Sequence, residues 1–207
     1  MGELRLGLLT MTSLYLCILA CAAGTSMHSR TAPNREERVF HKILLMTTYS
    51  DIELDQAFEK KVKGCLKSHK AECVHERELF FPAGNYDFDE FVQKADSAGI
   101  DAILFVSPGS SGVSEQYIPK SSTTTTSGSV SSNGWFNAKS KTREYGGYSV
   151  GKPWTTTGVE LYDYSTGEVI WVASAKTGGN AFAKWTTVVR SLGGQLVEKL
   201  GQDGLIE

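Results

Sequence analysis

The chain has 207 residues, a formal charge of −2 and a hydrophobic share of 41%, which suits one domain with its own core plus appendages. The near-neutral charge, with aromatic residues that do not alternate with a basic stripe, excludes an electrostatic case for nucleic acid. After residue 30 no apolar run approaches the roughly 20 residues that a membrane-spanning helix needs.

Residues 1–20 read as a signal peptide. Residues 6–20, LGLLTMTSLYLCILA, form an apolar stretch behind the flank MGELR, where Arg5 and the terminal amine slightly outweigh Glu3. Its length suits a signal better than a transmembrane helix. Ile18-Leu19-Ala20-Cys21 resembles the bacterial lipobox, in which cleavage precedes a lipid-modified cysteine. Ala20 fits that pattern, and Leu19 departs from the usual Ala or Ser. Cys17 follows Leu16 and lacks the small residue, so Cys21 is the expected lipidation site. Acyl chains there would hold the domain on a bilayer, each buried methylene contributing about 0.8 kcal/mol. The competing reading is an ordinary cleaved signal with an incidental cysteine. Ala22 stands where, in the enteric sorting rule, Asp would retain a lipoprotein at the inner membrane, so the expected location is the outer membrane, facing the periplasm. Residues 21–37 after cleavage are small, polar and aperiodic, and are expected to be the lipidated cysteine and a flexible tether.

Next, Val39 to Thr48 is an apolar run that predicts a buried strand. Ser50 and Glu53 suggest a capping box. Leu54, Phe58, Val62 and Cys65 or Leu66 follow at helical spacing, with lysines toward the end of the helix where its dipole favours them. Glu72 to Phe81 predicts a second strand. Asp87 and Glu90 open a second helix with Phe88, Phe91, Val92 and Ala95 on one face, and Gly99 is placed to close it. Ile100 to Val106 predicts a third strand. Gly158–Tyr164 and Glu168–Ala175 predict a hairpin. Asn180 is expected to cap a last helix carrying Phe182, Trp185, Val189, Leu192, Leu196 and Leu200 on one face. Gly193-Gly194 in it predicts a close approach to the sheet, at a cost in helix stability. The expected fold is an α/β (α+β) sandwich: β-α-β-α-β, a Ser/Thr-rich arm, then β-β-α, with a mixed sheet covered by helices. One domain then comprises residues 38–106 and 155–207.

Residues 107–154 interrupt it with Ser, Thr, Gly and Asn. Two readings compete, a mobile insertion and an extended β-hairpin arm, since Thr and Tyr tolerate strands and Gly128 or Asn133-Gly134 suits a turn. Tyr117, Trp135, Phe136, Tyr145, Tyr148 and Trp154 lie in or beside this segment. Aromatics on adaptable backbone suit a partner-binding surface; the alternative is a lid packed back on the domain.

The lipobox ILAC, the passage ADSAGIDAILFV at 95–106 and GVELYDYSTGEVIWVAS at 158–174 carry a resemblance. The chain is similar to bacterial envelope lipoproteins with a TolB-N-terminal-like α/β domain, a group that includes penicillin-binding-protein activators and curli-assembly lipoproteins. The resemblance covers about residues 39–106 and 155–201. It implies a protein that works by binding an envelope partner or by self-association, as a regulatory or assembly module.

Catalytic chemistry finds no complete constellation. Gly109-Ser-Ser-Gly112 is not a nucleophile elbow, and the glycine-rich stretches lack a phosphate loop's lysine and spacing. No enzyme activity and no cofactor are expected, with an envelope hydrolase or metal-binding protein as the remaining alternative; whether a small molecule binds stays open. Cys65, His69, Cys73 and His75 form the sharpest local pattern. Two thiolates and two imidazoles suit zinc. Export to an oxidising compartment favours instead a Cys65–Cys73 disulfide, with His69 and His75 facing solvent. Free or buried thiols are the third reading.

Overall fold

The computed structural model describes residues 22–33, 38–81, 84, 86–130, 132–133 and 136–207; residues 1–20, Cys21 and Trp135 lie outside the described residues. The chain follows β1 (Ala23–Thr31), β2 (Lys42–Thr47), α1 (Ile52–Ser68), β3 (Glu72–His75), α2 (Glu76–Leu79), α3 (Phe88–Ala98), β4 (Ala102–Ile118), β5 (Ser121–Val130), β6 (Phe136–Tyr145), β7 (Tyr148–Asp163), β8 (Val169–Gly179) and α4 (Trp185–Gln202). A six-stranded sheet runs β1-β8-β7-β4-β2-β3. β4, β2 and β3 pair in parallel and the rest antiparallel. The protein is therefore of the α/β class with a mixed sheet.

Burial explains which runs became which strands. Ile43, Leu44 and Leu45 are fully buried, as expected where helices cover both faces of a parallel strand. On one face α1 and α4 press Phe58, Val62, Leu66, Leu192, Leu196 and Leu200 onto Leu104, Val106, Leu161 and Trp171 in a single core. Full burial of each such side chain is worth about 1.5–3 kcal/mol. On the other face α3 covers only the parallel side, where Leu44, Val74, Ala95 and Ile100 form a smaller core. The outward residues of β8, such as Val172, Ser174 and Lys176, are exposed. Asp87 accepts from the Glu90 N–H at the start of α3, and Gly99 closes that helix at φ 69°.

Besides the cap of α1, which is Asp51 rather than Ser50, four local expectations change. Residues 23–31 are not a tether but an edge strand paired with β8 along its length. Two of its four inward residues are hydroxyls: Thr25 bonds Thr177 and Ser191, each at 3.0 Å, and Ser29 donates to Asp203 at 2.5 Å, while Met27 packs against the core. Second, the strand expected over 72–81 stops at His75. There a capping box starts α2, with Glu78 Oε1 accepting from the His75 N–H and His75 Nδ1 accepting from the Arg77 N–H. Third, Asn180 caps a turn, accepting from the Phe182 N–H, and α4 begins only at Trp185, leaving Phe182 90% exposed. Finally, Gly193 serves a helix contact rather than the sheet. A Cβ there would lie 3.2 Å from Val62 Cγ2 and 3.4 Å from Phe58 Cδ2 on α1.

Candidate functional site

β4 and β7 outrun the sheet. Their pairing continues past Gly112↔Trp154 to Ile118↔Tyr148, after a register shift at Pro108–Ser111. β5 and β6 then pair from Ser121↔Tyr145 to Val130↔Phe136. The result is one long two-stranded ribbon with a joint at Pro119-Lys120 and Gly146-Gly147. Both glycines have positive φ, 92° and 76°, and a Cβ on Gly146 would collide with the Pro119 carbonyl. The segment 107–154 is thus β-structure over nearly all its described residues.

The distal hairpin has two unlike faces. Direct pairing puts Ser121, Thr123, Thr125 and Ser127 beside Tyr145, Arg143, Lys141 and Lys139 on one side. Among the described residues no carboxylate pairs with these three cations. The other side pairs Ser122, Thr124, Thr126 and Gly128 with Glu144, Thr142, Ser140 and Ala138. Its single charge, Glu144, lies at the base and is bound to Lys120 at 2.9 Å. Higher up, the hydroxyls bond one another across the strands, Thr124 to Thr142 at 2.9 Å and Thr126 to Ser140 at 3.4 Å. Phe136 leans over Gly128 near the tip.

Aromatic residues bracket the hairpin. Tyr145 and Tyr148 meet edge to face at the joint, with centroids 5.9 Å apart. Tyr117 is 61% exposed below them, and Phe136 is 66% exposed at the far end. Trp154 is half-buried at the ribbon's root, its indole against Gly112. Four of the six aromatics singled out by sequence are therefore open on the ribbon, Trp154 packs at its root, and Trp135 lies outside the described residues.

The N-terminal end of β1 shares the ribbon's end of the sheet. Ala23 pairs with Gly179, and its neighbour Gly178 pairs with Trp154. Ala22, the residue after Cys21, accepts from the Asn180 N–H at 2.8 Å.

A cleft of about 440 Å³ opens at the ribbon's root, lined by Tyr49, Asp51, Leu54, Pro108, Thr155 and Trp185 among others. Among the described residues the buried Tyr49 hydroxyl has no partner, and burial, with the charge of Asp55, pushes its ionisation well above the usual range.

The cysteine–histidine pattern does not close on a metal. His75 is buried with its Nε2 3.3 Å from Asp55 near the start of α1, which corrects its expected exposure. His69 caps the other end of α1 beside the Glu207 carbonyl. Fourteen helical residues, roughly 21 Å, separate those ends. Among the described residues no group of His, Cys, Asp or Glu is arranged to hold a metal ion. The Cys65–Cys73 disulfide is also absent, and both thiols are free. Cys73 is buried where Lys63 and Glu59 act on it, against the middle of α1, and burial pushes its thiol up to about 12.

No family model matches the chain, and no curated protein sequence matches it. Among solved structures, the chain is similar to a PelC dodecamer from Paraburkholderia phytofirmans, with 15% identity, a TM-score of 0.47 and coverage of 85% of this chain and 96% of that one. A variant PelC dodecamer in a second crystal form gives 13% identity, a TM-score of 0.47 and coverage of 84% and 98%. A PDZ domain protein from Parabacteroides distasonis gives 10% identity and a TM-score of 0.35, over 89% of this chain and 38% of that one.

Proposed function

We propose that this chain is a lipid-anchored bacterial envelope protein, related to the TolB-N-terminal-like lipoproteins, that acts by assembly rather than catalysis. Copies associate side by side through their ribbons, and the β5–β6 hairpins close into a barrel across the outer membrane. The two-faced hairpin carries this reading. A two-stranded ribbon is marginal in water, and its outer edges offer unpaired backbone groups. Pairing edge to edge with further copies, until the sheet closes, satisfies them all, as a bilayer demands.

The dimensions agree with such a barrel. β5 and β6 each have 10 residues, the length of a tilted membrane strand. At about 3.3 Å per residue and a tilt near 40°, they rise roughly 25 Å, the height of an outer-membrane barrel's apolar band. Phe136, at the tip and on the side opposite the cations, occupies a girdle position. The cation-free face meets lipid above the Lys120–Glu144 pair at its base, with Thr124 bonded to Thr142 and Thr126 to Ser140, and the cationic face lines the interior. The lipid at Cys21 would place the ribbon's root at the membrane surface.

Full-length protein extracted in detergent should run as a discrete oligomer by light scattering and show rings by negative-stain microscopy. Replacing residues 121–145 by a two-glycine turn should leave the fold intact and abolish the rings. A full-length chain that stays strictly monomeric in detergent and in lipid would refute the reading.

A further inference from the structure

Resting on the barrel reading above, we infer that the passage conducts anions and takes a linear polyanion, a polymer bearing carboxylates or phosphates, as cargo. Lys139, Lys141 and Arg143 stand on one face of β6 at alternate positions. Alternate residues are about 6.6 Å apart along a strand, so the three cations form a short ladder. In a closed ring of copies each rung becomes a circle of positive charge, and three circles stack along the axis. Rings of Lys and Arg select anions in pores. A repeating anionic chain can move from one circle to the next, because each binding step is matched by an equivalent one ahead.

The face has no competing charge. Opposite the cations stand Thr123, Thr125 and Ser127, with no carboxylate on that side of the hairpin. The hydroxyls accept and donate without neutralising the field. No Trp, Phe or Leu stands among the three cations on their face, whereas such residues would flank the basic positions of a ribbon lying in a headgroup layer. Here the one aromatic on the cationic face is Tyr145, at its base, and Phe136 lies on the opposite face. A water-filled interior suits the cationic face better than an anionic lipid surface does.

The test is conductance of the full-length protein in planar bilayers under a potassium chloride gradient. The expected result is a severalfold preference for chloride, and block by long-chain polyphosphate from one side. The triple variant K139E/K141E/R143E should prefer potassium and lose the block, and K139Q/K141Q/R143Q should lose most of the preference, both with unchanged oligomer size. Conductance whose selectivity ignores all three substitutions would overturn the inference while leaving the barrel standing. Absence of any conductance from a correctly sized oligomer would overturn both. Tight binding to anionic vesicles by a non-conducting protein would assign the basic face to a lipid surface instead.

Discussion

Asp55 Oδ1 and His75 Nε2 lie 3.3 Å apart inside the contact between α1 and β3, at the centre of a polar network. Thr47 donates to the same carboxylate oxygen at 2.5 Å, and Arg77 bridges Asp55 and Glu59. His75 uses Nε2–H toward Asp55 and keeps Nδ1 as the acceptor that starts α2. One imidazole thus joins a helix cap to a buried carboxylate.

Burial pushes the Asp55 carboxyl up, but hydrogen bonds from His75 and Thr47, together with the charge of Arg77, outweigh it and hold the group below its ordinary value. A carboxyl depressed on folding stabilises the protein above its unfolded pKa, about 3.9, and that stability is lost as pH falls through the folded value. Urea unfolding should therefore show stability declining below about pH 4. Asp55→Ala should remove about 1–3 kcal/mol at neutral pH, because Arg77 keeps Glu59 but the buried His75 Nε2–H and the Thr47 hydroxyl lose their acceptor, and should flatten the acid limb.

The hairpin's two faces should respond oppositely to charge. Thr126→Lys adds a cation to the face assigned to lipid, at a cost of about 2–4 kcal/mol per copy near the midplane. Thr125→Lys adds the same cation next door, on the basic face. Membrane floatation of the assembled protein should fall sharply for the first and hold for the second. Equal behaviour of the two would argue that neither face meets lipid.

Gly193 and Gly194 should also diverge. At Gly193 a side chain meets Val62 and Phe58 in the packed contact between α1 and α4, so Gly193→Val should destabilise by about 1–3 kcal/mol through overpacking. At Gly194 the nearest atom is Lys61 Cε, 3.0 Å from an added Cβ, on a chain end that can move aside. Gly194→Ala should then raise stability by up to about 1 kcal/mol through helix propensity. Thermal unfolding of the two variants separates the cases.

The free thiols should differ in reactivity. Cys73 is buried with a raised pKa, and Cys65 is half-buried on α1. Iodoacetamide under native conditions at neutral pH should label Cys65 well before Cys73, as read by peptide mass mapping, and urea should equalise them. A Cys65–Cys73 cross-link in protein isolated under non-reducing conditions would contradict the arrangement.

Much of the sheet could be read from sequence because its strands bury continuous apolar stretches, as at Ile43–Leu45 and Ala102–Val106. Caps were legible where a short side chain meets its own helix, as with Asp87. β1 was not, because Thr25 and Ser29 are satisfied by partners more than 150 residues away, and Met27 is the only large apolar residue on its inward face. The end of β3 was hidden for a related reason: His75 is fixed by Asp55 on another element before it can start α2. The ribbon's signal was present in a form that hydropathy does not score, an alternation of charge with neutrality at Lys139, Lys141 and Arg143.

The Ala22–Asn180 hydrogen bond and the β1 ladder behind it have a mechanical meaning. If the lipid is on Cys21, there is no slack between the bilayer and the folded sheet. A pull on the anchor is carried at once into nine residue pairs of β1 and β8, which share the load along the strand. The subunit could then neither swing nor drift from the membrane, and each copy would arrive beside its neighbour already upright.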